Sequence, residues 1–193
     1  RFHEGESITS NIFATFLSQH FDGLITIDPH LHRHKDMREI YKVPVTVVHA
    51  ADAIAIWIIK NIEKPVLIGP DEESDQWVRD IAKKAQAPYT VLTKIRRGDH
   101  DVEVSVPDID KFHDHTPVLV DDIISTARTM IETVNDLKAG GMKPAVCIGI
   151  HAVFSGDAFE ALRKASAGKI ITCNTIPHVT NEIDLSSLIQ DFL

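Results

Sequence analysis

A chain of 193 residues, 44% hydrophobic and 25% charged, is long enough to bury one sizeable core or two modest ones and has the composition of a soluble globular protein. A net charge of −8 excludes the broad basic face that a nucleic-acid partner requires. No apolar run reaches bilayer length, since the longest, around residues 50–59, is interrupted by Asp52, so no membrane partner is expected.

The opening residues, Arg1 to Glu6, carry no initiator Met and no leader pattern, and they run straight into a helical pattern, as expected of a fragment of a longer protein. Ile8, Ile12, Phe13, Phe16 and Leu17 recur on one helical face from Ser7 to about His20. A short strand, 24–28, ends in Asp28-Pro-His30, and a loop rich in charge and histidine covers 31–43. Strand 45–48 leads into an almost wholly apolar helix, 51–62, which must be covered on most sides.

From there the alternation is regular: strand 65–69, helix 73–86, strand 89–95, a polar connection 98–114 with a possible strand at 102–106, and the strand of 116–120. A helix with Ala127, Met130, Val134 and Leu137 facing inward closes at Gly140-Gly141, followed by strand 145–150, helix 156–167, strand 169–173 and a short helix 184–192. Such alternation predicts the α/β class, with a parallel sheet covered by helices on both faces. The best domain boundary lies around 43–51. Cys147 and Cys173 each fall in an apolar β-type run and read as buried free thiols of a reducing, cytoplasmic compartment.

The most informative stretch is 116–130, where the apolar run Val118, Leu119, Val120 meets Asp121 and Asp122, then a turn with Ser125, Thr126 and Thr129, then a helix start. Free N–H groups and the helix dipole converge at such a turn and favour a phosphate, while acids at a strand's carboxyl end can hold sugar hydroxyls. Asp, Ser and Thr also serve as plain caps and turn formers, but paired acids with three hydroxyls in one turn favour a ligand.

Three further clusters stand at strand ends. Asp28 and His30 are reasonable metal or phosphate partners, whereas His32 and His34 read as solvated, and zinc lacks a second ligand pair at suitable spacing. Asp71 ends a strand and suits Mg²⁺, while Glu72, Glu73 and Asp75 are explained by the dipole of the helix they begin. Lys94, Arg96 and Arg97 form either a solvated strand end or a set of mobile cations for a phosphorylated transition state.

Taken in order, the opening Arg-Phe-x-x-Gly-Glu, Asp28-x-His30, Gly-Pro-Asp71, Lys94-x-Arg96, Val-Asp-Asp-Ile-Ile at 120–124 and Asn174-Thr-Ile-Pro177 resemble the ribose-phosphate pyrophosphokinase family along essentially the whole chain. The resemblance implies two phosphoribosyltransferase-type domains: a remnant of the first over 1–47, the second over 48–180, and a C-terminal helix at 181–193 returning to the first. It implies transfer of a diphosphoryl group from ATP to the C1 hydroxyl of ribose 5-phosphate, Mg²⁺ as cofactor, and a homo-oligomer. Lys94 and Arg96 would be catalytic, Asp28 and His30 would meet ATP, and His30 and Asp71 the metal. Asp121, Asp122, Ser125, Thr126, Ala127, Arg128 and Thr129 would hold the sugar phosphate.

The chain departs from that pattern at Glu72-Glu-Ser-Asp75, where paired glycines are usual, at Ser125, where a second acid is usual, and at Arg128, where glycine is common. Arg128 either bonds the phosphate with its planar fork or points to solvent. A salvage phosphoribosyltransferase and a non-catalytic regulatory homologue are the competing expectations.

Overall fold

The computed structural model describes residues 8–31, 34, 36–69, 74–96, 102–105, 109–190 and 192. The chain divides into two compact units, Arg1–His49 with Ser187–Leu193, and Ala50–Ser186.

In the smaller unit a helix, α1 (Thr9–His20), precedes two parallel strands, β1 (Leu24–Ile27) and β2 (Val45–Val48), paired from Leu24 with Val45 to Ile27 with Val48. A 3-10 turn at Met37–Glu39 interrupts the loop expected between them, capped by Asp36, whose Oδ1 accepts the Arg38 N–H at 2.8 Å. The apolar stripe of α1 is present, yet Ile12, Phe13 and Phe16 are each more than half exposed, and Ala14 is the residue of the helix that is buried.

The larger unit begins with α2 (Ala51–Asn61), β3 (Pro65–Gly69), α3 (Asp75–Ala85) and β4 (Tyr89–Val91). Next come β5 (Thr93–Arg96), β6 (Val102–Ser105), β7 (Thr116–Ile123) and α4 (Arg128–Ala139). The unit ends with β8 (Val146–His151), α5 (Ala158–Lys164), β9 (Lys169–Cys173) and β10 (Asn181–Ile183); α6 (Ser186–Gln190) follows in sequence. Its main sheet has the order β10-β9-β8-β7-β3-β4, and every neighbouring pair is parallel.

The expected parallel sheet is therefore observed, with its direction of growth reversing between β7 and β3. Because parallel crossovers are right-handed, the reversal sends α3 to one face and α4 and α5 to the other. On the α4 and α5 side Val66, Ile68, Leu119 and Cys147 pack with Met130, Val134, Leu137 and Leu162. Strand alternation turns Leu67, Val118, Val120 and Ile148, all buried, to the opposite face.

Several expectations need correction. The strand read over 89–95 is two: Leu92 is buried at the break, and β5 leaves the sheet to pair antiparallel with β6, Thr93 opposite Ser105. Parallel sheets are buried on both faces, so a segment with Lys94 and Arg96 does not extend one. Helix α2 is covered on one side, with Ile54, Ala55 and Ile58 buried and Ile56 and Ile59 more than half exposed. The strand β10 is three residues long, too short for periodicity to reveal, and it displaces the start of the final helix to Ser186.

Both cysteines are buried and neither forms a disulfide, and burial pushes the Cys147 thiol up to about 12. A thiol held neutral by the fold stabilises it fully below the unfolded value of 9.0 and loses that contribution as pH rises through about 12. Native protein at pH 8 is expected to leave Cys147 unlabelled by an aromatic disulfide reagent until urea unfolds the chain; rapid labelling without urea would contradict the packing described.

Candidate functional site

The reversal between β7 and β3 creates a crevice at their carboxyl ends, the place where open α/β sheets bind ligands. The chain leaving β3 enters residues 70–73, so Asp71 lies outside the described residues. The chain leaving β7 forms the corner anticipated from the sequence.

The strand β7 runs through both acids to Ile123, so Asp121 and Asp122 belong to the strand end and leave it in opposite directions. Each is half-buried, and each accepts a neighbouring N–H: Asp121 Oδ1 from Asp122 at 3.0 Å, Asp122 Oδ1 from Ile123 at 2.8 Å. These short loops of hydrogen bonding fix how the carboxylates stand.

Past the strand, Ile124 folds back into the core at 1% exposure. Its side chain fills the space above Gly149 on β8, where an added Cβ would lie 2.6 Å from Ile124 Cδ1. Ala127 then adopts a left-handed backbone, φ 56° and ψ 10°, and α4 starts at Arg128. The methyl of Ala127 is buried in the core cluster, which compensates for a conformation that alanine ordinarily avoids.

That sharp corner leaves the helix start uncapped. No side chain caps it, and among the described residues the first N–H of this turn to find a backbone acceptor is that of Ile131, bonded to Ala127 O at 2.8 Å. The N–H groups of Arg128, Thr129 and Met130 precede the first intrahelical bond, as helix geometry demands. Together with the dipole they make a site for an anion. Thr126 and Arg128 are exposed, Ser125 and Thr129 half-buried. Arg128 makes no ion pair among the described residues, so its fork is available to a ligand.

A second loop, after β8, lies along this corner. Ile124 N–H donates to His151 O at 3.1 Å, Phe154 N–H to Ile124 O at 2.8 Å and Ser155 N–H to Ser125 O at 3.0 Å, continuing the β7–β8 ladder beyond the strands. The hydroxyls of Ser125 and Ser155 are 3.0 Å apart. His151 is fixed as well: Thr175 Oγ1 donates to Ile150 O at 2.9 Å, so it accepts from His151 Nδ1, also at 2.9 Å.

The model of the family described as "Phosphoribosyl transferase domain" matches residues 38–188. The chain belongs to that family.

The ribose-phosphate pyrophosphokinase of Methanobrevibacter smithii is 28% identical to this phosphoribosyltransferase-domain chain, over 100% of the chain and 68% of that protein. That of Aquifex aeolicus is 31% identical over 80% of the chain and 49% of that protein. The crystal structure of phosphoribosylpyrophosphate synthetase from Mycobacterium smegmatis superposes with a TM-score of 0.82 at 22% identity, covering 97% of this chain and 63% of that one, and so shares its fold. The chain thus spans roughly half to two-thirds of the length of these relatives.

The other candidate residues lie on separate elements. Lys94 and Arg96 occupy alternate positions of β5, in register with Val104 and Val102 of β6, and β6 runs against α4, the helix that begins at the corner. Asp28 and His30 follow β1 in the smaller unit. Asp28 has a φ of 33° and accepts from His49 Nδ1 at 2.6 Å. His49 was not evident from the sequence, and its signal was the parallel pairing that sets the ends of β1 and β2 side by side. Ser155 was missed for the same reason, being adjacent to Ser125 only because β7 and β8 are neighbours.

Asn174 proves to be a structural residue. Its side chain accepts the Leu185 N–H at 2.8 Å and donates to Asp184 at 2.6 Å. Hydrogen bonds from Ser186, chiefly, and from Asn174 hold the Asp184 carboxyl below the usual carboxylate range. Among the described residues no three His, Cys, Asp or Glu side chains gather to hold a metal ion. No helix of the described residues is long and apolar enough to cross a membrane.

Gly149→Ala is expected to overpack against Ile124 and lower the unfolding free energy by about 1–3 kcal/mol, read from the urea midpoint. An unchanged midpoint would mean that Ile124 does not sit over Gly149.

Proposed function

We propose that this chain is the sugar-phosphate-binding part of a ribose-phosphate diphosphokinase, the enzyme that moves the diphosphoryl group of ATP to the C1 hydroxyl of ribose 5-phosphate and releases AMP. The observation that carries the proposal is the uncapped first turn of α4, entered directly from the two acids that end β7. A phosphate monoester answers the open N–H groups, and the acids answer vicinal hydroxyls. The relatives named ribose-phosphate pyrophosphokinase favour this activity over a salvage phosphoribosyltransferase.

In this assignment Thr126 to Thr129, with Ser125, wrap the 5-phosphate, and Asp121 and Asp122 take the pentose hydroxyls. The fork of Arg128 adds a charge-assisted bond where glycine would add none. The β5–β6 hairpin brings Lys94 and Arg96 to the transferring phosphoryl groups, where positive charge stabilises the transition state. Asp28 and His30 contact ATP, the second substrate.

Asp71 in the larger unit and His30 in the smaller are each a candidate ligand of Mg²⁺, whose coordination the substrate phosphates would complete. A sparse protein donor set suits an ion that retains waters and binds through phosphates, and that ion would neutralise the charge of the reacting groups.

We further propose that residues 1–47 belong to a first domain of the same type and residues 48–180 to the second; of the segment 181–193, β10 pairs in the sheet of the larger unit, so the expected C-terminal helix begins only at Ser186. The exposed apolar face of α1 and the greater length of the relatives support this division. The parent enzyme is taken to be a cytoplasmic homo-oligomer.

Calorimetry on this chain is expected to detect binding of ribose 5-phosphate, weakened about tenfold by Arg128→Gly through loss of one charge-assisted bond. Absence of binding by the unsubstituted chain would refute the sugar-phosphate corner. In the full-length protein supplied with ATP, Mg²⁺ and ribose 5-phosphate, Lys94→Ala should slow AMP formation on the order of a hundredfold. An unchanged rate would remove the hairpin from the chemistry.

A further inference from the structure

The two serines that meet at the corner come from different loops, and their hydroxyl oxygens are 3.0 Å apart. A serine hydroxyl has one proton to donate and two lone pairs. Only one proton can lie between the two oxygens, so the other points elsewhere. Ser155 is exposed and Ser125 half-exposed, so that second proton is open to a ligand.

Ser155 stands firmly. Its N–H donates to Ser125 O at 3.0 Å, which binds the second loop to the first whatever its side chain does. Next to it Phe154, at a φ of 37°, packs on His178 with ring centroids 4.6 Å apart and the rings tilted by 32°, and meets Phe159 edge-on at 5.4 Å. His178 Nδ1 is 2.8 Å from Thr180 Oγ1, which in turn pairs with the buried Thr172 hydroxyl at 2.7 Å. The aromatic cluster and the hydroxyl chain support the loop, so the Ser155 side chain is held beside Ser125 at the corner. Gly156 follows directly at a φ of 63°, a backbone conformation that residues with side chains rarely adopt.

We propose that Ser155 is a phosphate ligand of the corner, resting as this does on its assignment to a sugar phosphate. The Ser125–Ser155 pair acts as one interchangeable donor. Whichever hydroxyl keeps its proton free gives it to an oxygen of the 5-phosphate, while the other bonds its neighbour. Loss of either serine leaves the remaining hydroxyl free to donate, and loss of both leaves none. The chemical class recognised is a phosphomonoester, and the contact is to phosphate oxygen and not to the pentose.

The test is a double-substitution cycle on this chain, with ribose 5-phosphate and inorganic phosphate as separate calorimetric probes. Ser125→Ala and Ser155→Ala singly are expected to change each Kd less than threefold. Adding Ser155→Ala to the Ser125→Ala protein is expected to weaken both probes about tenfold, the scale of one hydrogen bond to a charged acceptor. Ser155→Thr in that same background should retain binding, because it restores a hydroxyl. If the double variant binds no more weakly than Ser125→Ala alone, Ser155 is not a ligand. A loss confined to ribose 5-phosphate would also overturn the proposal. If the unsubstituted chain binds neither probe, it is the sugar-phosphate assignment that fails, and the cycle separates the two cases. Urea midpoints of the variants distinguish a loosened loop, which Ser155→Thr would not repair, from a lost ligand.

Discussion

The start of α4 governs the rest of the larger unit. A helix that begins without a capping side chain leaves several backbone donors facing water, an arrangement proteins otherwise satisfy with serine, threonine or asparagine at the cap. Here the cap position is Ala127, bent into the left-handed region, and neighbouring structure holds it there. Its methyl is buried in the core, Ile124 before it fills the space over Gly149, and the loop from β8 is bonded to Ile124 and Ser125. Strain and open donors of this kind concentrate where a ligand is to be held.

Much of this was legible in the sequence. Apolar runs separated by helical periods give the parallel α/β class, and the inward positions Ala127, Met130, Val134 and Leu137 are all buried. The corner at 125–129 was legible because acid, hydroxyl and helix start are adjacent in the chain. Less legible was anything that depends on which strands become neighbours. Periodicity does not encode strand order, so the position of Ser155 beside Ser125, and of His49 beside Asp28, appears only once β8 joins β7 and β2 joins β1. The break at Leu92 was hidden for another reason: an apolar residue fits both a continuous strand and a bend whose side chain turns into the core.

Charge distribution separates the parts of the candidate site. The larger unit has an uncapped helix start beside exposed hydroxyls, and Lys94 and Arg96 lie on a two-stranded antiparallel sheet outside the main one. An antiparallel pair lets charged residues alternate along an edge that the doubly covered parallel sheet would have to bury.

The sheet's strand order also has a consequence for biosynthesis. The central partners β3 and β7 pair Pro65 with Thr116, 51 residues apart by subtraction, and no hairpin links them. While the ribosome is still making the intervening segment, β3 has only the short β4 for a sheet neighbour, and its other edge is bare. Contacts of such long sequence separation form slowly, so the nascent chain passes through a stage with an apolar strand unprotected, the stage at which a chaperone has most to shield.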